Sequence, residues 1–251
     1  MKRLSLIIAY LVLSLTAVAG TFTLMALTSS TAYAHDHDSD DNDDDDCGAC
    51  ADLQIQVPKG VRLEVSTVSS DVEVNGITGQ AQLGTVSGRI VLNSSASRID
   101  VKTVSGDIEV VGSAKGASIG ANSVSGTVRL SEVDGNVDVE NVSGDSKLAS
   151  HHVTGLKMSA TSGNLTFEGV LTKGDSYDLN NVSGDVVLAV GASPDAHFDI
   201  SSFSGDIDNS FGPKPSRVSK YSPGMELHFS NGSGGANLSA RTLSGDIHLQ
   251  D

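Results

Sequence analysis

Six aspartates of this chain, Asp71, Asp107, Asp145, Asp185, Asp206 and Asp246, each follow a Ser-Gly or Ser-Ser pair. Carboxylates recurring at one row position are donors that a hard cation accepts, so Ca(II) is one reading of the column. Calcium-binding Gly-Asp rolls repeat every ~9 residues, whereas these pairs mostly recur 18 to 21 residues apart. Arg89, Thr127 and Asn164 take the same place in other rows. Interleaving Arg89 between Asp71 and Asp107 relieves like-charge repulsion without a metal. The serines read as a hydrogen-bonding ladder rather than as nucleophiles, because no His or Lys recurs beside them as a base. A second carboxylate row, Asp100, Asp138, Asp178 and Asp199, lies six positions before the glycine. Glycoside hydrolysis needs two carboxylates in unlike environments across a groove. A flat solvated row in a chain with no Trp offers neither, and the chain reads as a non-enzyme. His151-His152 reads as a solvated pair in a turn.

Other chemistry-bearing residues precede the repeats. Met1-Lys2-Arg3, the apolar run Leu4 to Leu27 and Ala32-Tyr33-Ala34 have the pattern of an export signal, residues 1–34, cut before His35. The protein is thus expected in the periplasm or at the cell surface of a bacterium. An uncleaved N-terminal membrane anchor is the alternative, since the apolar run is long enough to span a bilayer. Cleavage would leave His35-Asp36-His37 at a free amino terminus. The amine, two backbone nitrogens and the His37 imidazole would make a square-planar set suited to Cu(II) or Ni(II). Residues 35–50 carry eight carboxylates and read as a disordered acidic tether. Cys47-Gly48-Ala49-Cys50 closes it, and outside the cytoplasm so close a pair is expected to form a local disulfide. Removing Lys2 and Arg3 with the leader takes the net charge from −15 to −17. Nucleic acid and anionic membrane surfaces are therefore excluded as partners.

The elements that must hold these residues are written in the repeat. Thr103-Val104-Ser105-Gly106-Asp107-Ile108-Glu109-Val110 recurs with Ser-Gly at 87-88, 105-106, 125-126, 143-144, 162-163, 183-184, 204-205 and 244-245. Two and four positions after the glycine lie Ile90/Leu92, Ile108/Val110 and Val128/Leu130. Seven and five before it lie Ile99/Val101, Val137/Val139 and Phe198/Ile200. This period of two marks half-buried strands. The residue two before the glycine, Val68, Val86, Val104, Val124, Val142, Thr161, Val182, Phe203 or Leu243, is also expected inside. That places a break of alternation between minus five and minus two, as a corner between two strands requires. A period near 20 residues is the mark of a solenoid. The fold class is all-β: residues 51–251 should form a single-stranded β-solenoid of about nine to ten coils of 18–21 residues, two short strands per coil.

Val57-Pro58-Lys59-Gly60 opening into Thr-Val-Ser-Gly-Asp-Ile-Glu-Val units, with Gly235-Ala236-Asn237-Leu238-Ser239-Ala240-Arg241-Thr242-Leu243-Ser244-Gly245-Asp246-Ile247 at the close, resembles a bacterial family of adhesin-labelled domains of unknown function. The resemblance covers about residues 53–249. It implies a β-solenoid in an exported or membrane-attached protein, and it carries no catalytic residues.

Residues 209–234 leave the rhythm, with Gly212-Pro213-Lys214-Pro215 and Tyr221-Ser222-Pro223-Gly224. Met225 to Phe229 alternates like a strand and is expected to form a hairpin with the strand after it. Phe211, Lys214, Arg217, Lys220 and Tyr221 combine aromatic and basic groups on that segment, the composition of a binding loop or of a cap on the last coil. The expected function is a non-enzymatic exported scaffold with adhesin-like binding to an envelope or extracellular macromolecule. The competing class is a periplasmic metal-binding or envelope-sensing protein acting through the His/Asp-rich segment.

Overall fold

The structure is a computed structural model that describes residues 14–16, 55–219 and 223–251. The leader and its cleavage site, the acidic tether, His35, His37, Cys47 and Cys50 lie outside the described residues, as do Lys220 and Tyr221. The described part of the domain is a β-solenoid with no helix, built from two facing sheets of 12 and 9 strands.

One coil shows why these residues make these elements. Arg98–Ser105 turns Ile99, Val101 and Thr103 inward, and Ile108–Val111 turns Ile108 and Val110 inward. Each side chain stacks on its counterpart in the coils before and after. Ile99 faces Ala81 and Ile119, and Ile108 faces Ile90 and Val128, in parallel register. The stacked ranks close an apolar interior between the sheets, in which Phe167, Tyr177 and Phe198 are the largest fully buried side chains. Burying each Ile, Leu or Val removes apolar surface from water, about 1.5–3 kcal/mol per side chain. No coil can bury its face alone, so stability is shared between neighbours.

The chain winds seven consecutive coils, from Arg62–Ser69 to Val186–Ala189, short of the nine to ten expected in unbroken succession. The succession ends for a topological reason. Ala196–Ser204 does not lie on Ser176–Ser183. Instead the chain's final strand pair, Ala236–Ser244 and Ile247–Gln250, is inserted between them, parallel to both neighbours. The chain thus skips one coil position at 190–195, builds the outer coil at 196–209, and returns to fill the gap. Met225–Asn231 runs antiparallel along the outer edge of Ala196–Ser204, with Ser216–Arg217 beyond it. The expected hairpin between Met225–Phe229 and the next strand therefore does not form. Phe229 stacks face to face on Phe198, with ring centroids 4.6 Å apart, and closes the end of the core. At the opposite end Ser14–Thr16 pairs antiparallel with Arg62–Glu64.

A second expectation is corrected at the corner. The residue two before the glycine points outward: Val104 is 48% exposed and Phe203 is 57% exposed. The residue three before it is inside, and Thr103, Ser123, Asn141 and Thr242 are each at most 5% exposed. Alternation therefore runs unbroken through minus seven, five and three. The phase change falls at Ser-Gly itself.

Candidate functional site: the Ser-Gly corner

The corner is held by three columns that each answer a backbone problem. The first is the glycine. Its φ lies between 120° and 158° throughout the column, and a Cβ would stand 2.0–2.3 Å from the carbonyl oxygen at the same place in the neighbouring coil. No side chain fits that approach. Ser70 takes the place in the first coil, where no earlier coil of the repeat lies beneath it among the described residues.

The second is the buried polar column at minus three. Asn141 Nδ2 donates to the carbonyls of Gly126 (3.1 Å) and Gly144 (3.0 Å), and Asn181 Nδ2 donates to those of Gly163 and Gly184, both at 2.9 Å. Ser202 Oγ donates to the Gly245 carbonyl at 3.0 Å. The corner turns glycine carbonyls toward the interior, and unpaired they would lose their hydrogen bonds with water. Each Asn serves its own coil and the one before it, which is why Ala160 can stand between them. Among the described residues, seven of the ten buried polar ones belong to this column, so the corner, rather than the core at large, is where the interior tolerates polarity.

The third column is the Asp row. Asp71 Oδ1 accepts from the Arg89 backbone N–H (2.7 Å), Asp107 from Thr127 (2.8 Å) and Asp145 from Asn164 (2.9 Å). The series continues from Asn164 to Asp185, Asp246 and Asp206, following the inserted order of the last coils. One oxygen of each acceptor thus ties one coil to the next. The ladder is carried by these carboxylates and by serine carbonyls, such as Ser105 accepting from Gly106's predecessor Gly88 at 3.2 Å, and not by serine hydroxyls. The insertion also sets Asp185, Asp246 and Asp206 on successive coils, an adjacency that chain order does not show. No three His, Cys, Asp or Glu side chains converge on one point among the described residues.

The other sequence-derived candidates are dispersed. Asp100 pairs with Lys102 (3.5 Å), Asp138 with Lys157 (3.6 Å) and Asp199 with Arg241 (2.9 Å), in one outward row with no facing wall. His151 and His152 are exposed. Phe211 packs against the core, and its backbone N–H donates to Asn209 Oδ1. Lys214 and Arg217 are exposed, and Arg217 lies in the short strand on Met225. These positions fit a cap on the last coil.

Outside the frame the corner presents what sequence reasoning placed inside. Val68, Val86, Val104, Val124, Val142 and Val182 form an outward aliphatic column, continued by Leu243 and then Phe203. They are eight of the eleven exposed large hydrophobic residues among the described residues, so exposed apolar surface there is concentrated on this one line. Adjacent coils are ~4.8 Å apart, and the column runs the length of the solenoid. Between it and the outward row at minus four lies a shallow groove of 520 Å³, lined by Val124, Val142 and Thr161 on one side and by Lys102, Asn122, Glu140 and Ser159 on the other. The unbroken period of two from minus seven was the signal that could have found it.

A family profile described as Toastrack DUF4097 matches residues 53–250. No curated protein and no solved structure matches the chain.

Proposed function

The chain belongs to the Toastrack DUF4097 family, and on that premise we propose that it is an exported, non-enzymatic scaffold that displays its solenoid surface for adhesin-like binding to an envelope or extracellular macromolecule. The aliphatic column carries this reading. A solvated β position accepts Thr, Lys or Glu at little cost, yet six coils place Val there and two others Leu and Phe. Apolar groups concentrated on one line of a strongly acidic surface are a pattern that interaction sites favour. The frame beneath is tied coil to coil by the Asp ladder and the glycine stack, so the surface is held ready and little ordering is required on binding. The export pattern at 1–34 supports placement outside the cytoplasm.

Binding of the labelled, purified protein to isolated bacterial envelopes and to intact cells tests the reading. Saturable retention, reduced by substituting Val104, Val124 and Val142 with Ser, is the expected result. Retention that rises linearly with concentration and ignores those substitutions would contradict it.

A further inference from the structure

We propose that the groove beside the aliphatic column takes a linear, uncharged glycan. The inference rests on the scaffold reading above and names the ligand class. The groove has one mainly apolar wall, Val124 and Val142 with Thr161 at its end, and one polar wall, in which Asn122 and Ser159 make no side-chain hydrogen bond among the described residues. Its volume, 520 Å³, lies within the range of about 300–1,000 Å³ typical of small-ligand sites.

Charge selects the occupant. The protein is strongly acidic, which disfavours polyanions. The two charged lining residues are already paired, Lys102 with Asp100 at 3.5 Å and Glu140 with Lys157 at 3.2 Å. The groove therefore offers hydrogen bonds without a net charge to be matched. Backbone chemistry excludes a peptide added as a strand. The floor is the chain at Thr103, Ser123 and Asn141, whose strands are flanked by parallel neighbours on both sides. No sheet edge is open there for main-chain pairing. A second copy of the chain is disfavoured by area. A stripe about 40 Å long and one side chain wide buries well under the ~1,200 Å² of a stable interface.

A sugar chain meets each condition. Its ring faces carry C–H groups for the valines, its hydroxyls reach the opposite wall, and its backbone needs no partner. The coil repeat of ~4.8 Å sets successive wall residues at a regular step along the axis.

The test is direct binding of the purified protein to cellohexaose, chitohexaose, mannohexaose and maltohexaose, with oligogalacturonate as the anionic control. Variants Val124→Thr with Val142→Thr, and Asn122→Ala with Ser159→Ala, address the two walls. Thr161 already occupies the aliphatic column in one coil, so threonine there is compatible with the fold. Binding of at least one neutral oligosaccharide, weakened about tenfold by either double variant at unchanged melting temperature, is expected. Preference for oligogalacturonate would overturn the inference. So would binding to no oligosaccharide while column-dependent retention on envelopes persists, an outcome that leaves the scaffold reading standing with another ligand. Loss of both would overturn both.

Discussion

Gly106 lies so close over Gly88 that a Cβ on it would stand 2.0 Å from the Gly88 carbonyl oxygen. The stacking distance of the coils is fixed at this point, and Gly106→Ala must push two coils apart or twist the corner. Overpacking and strain each cost about 1–3 kcal/mol, so the variant should lose about 3 kcal/mol in urea denaturation. Ser70→Gly, at the same row position in the first coil, should change stability by less than about 1 kcal/mol.

Asn141→Ala should leave the Gly126 and Gly144 carbonyls without their buried donor. An unpaired buried group costs about 1–3 kcal/mol, and a loss of about 2–4 kcal/mol is expected by chemical denaturation. Asn141 and Asn181 also sit in Asn-x-Ser/Thr patterns, Asn141-Val142-Ser143 and Asn181-Val182-Ser183, yet both are buried, which closes them to glycan attachment in the folded protein.

The legibility of the chain in its sequence divides at these corners. Ile108 and Val110 declared themselves by alternation and lie inside. Val104 did not, because a β-branched residue reads as core wherever it stands, and Thr103 reads as surface. Both signals are reversed by one backbone fact: the strand alternates without a break to minus three, so Thr103 takes the inward place and Val104 the outward one. The place of the last strands was illegible for a different reason. Residues 198–207 and 238–247 carry the same pattern, so periodicity specifies that each makes a coil without specifying their order. The order follows from the connections, a short one at 190–195 and a long one at 210–235, and from contacts at Asp195.

Asp195 accepts hydrogen bonds from the backbone N–H groups of Ser233 (2.6 Å) and Gly235 (3.1 Å) and from Ser233 Oγ. These donors, the Gly235 N–H foremost, hold its carboxyl below its ordinary value of 3.8. Because the folded pKa is depressed, the carboxylate's contribution is present above the unfolded value and is lost as pH falls through the folded one. Asp195→Asn should flatten the acid limb of stability below about pH 4. Melting temperatures of both proteins between pH 2.5 and 7 check this, and parallel curves would show that the Asp195 carboxylate does not contribute.

Deleting 236–251 should do more than remove one coil. The outer coil at 196–209 meets the winding only through the inserted pair, since Ala196–Ser204 and Ile207–Asn209 find their parallel neighbours there. Hydrogen exchange of the truncated chain should show 196–231 unprotected and the coils from Arg62 to Leu165 still protected. Retained protection at 198–204 would mean that the outer coil can close directly onto Ser176–Ser183.

Thermal denaturation of Val104→Asp beside Ile108→Asp tests most directly whether the aliphatic column belongs to the surface. Val104 is 48% exposed and Ile108 is fully buried. An aspartate at 104 stays solvated and should cost about 1 kcal/mol or less. At 108 it would bury an uncompensated charge and cost several kcal/mol. A near-native melting temperature for Val104→Asp with a large loss for Ile108→Asp is the predicted result. Equal losses in the two variants would return the column to the core and remove the groove with it.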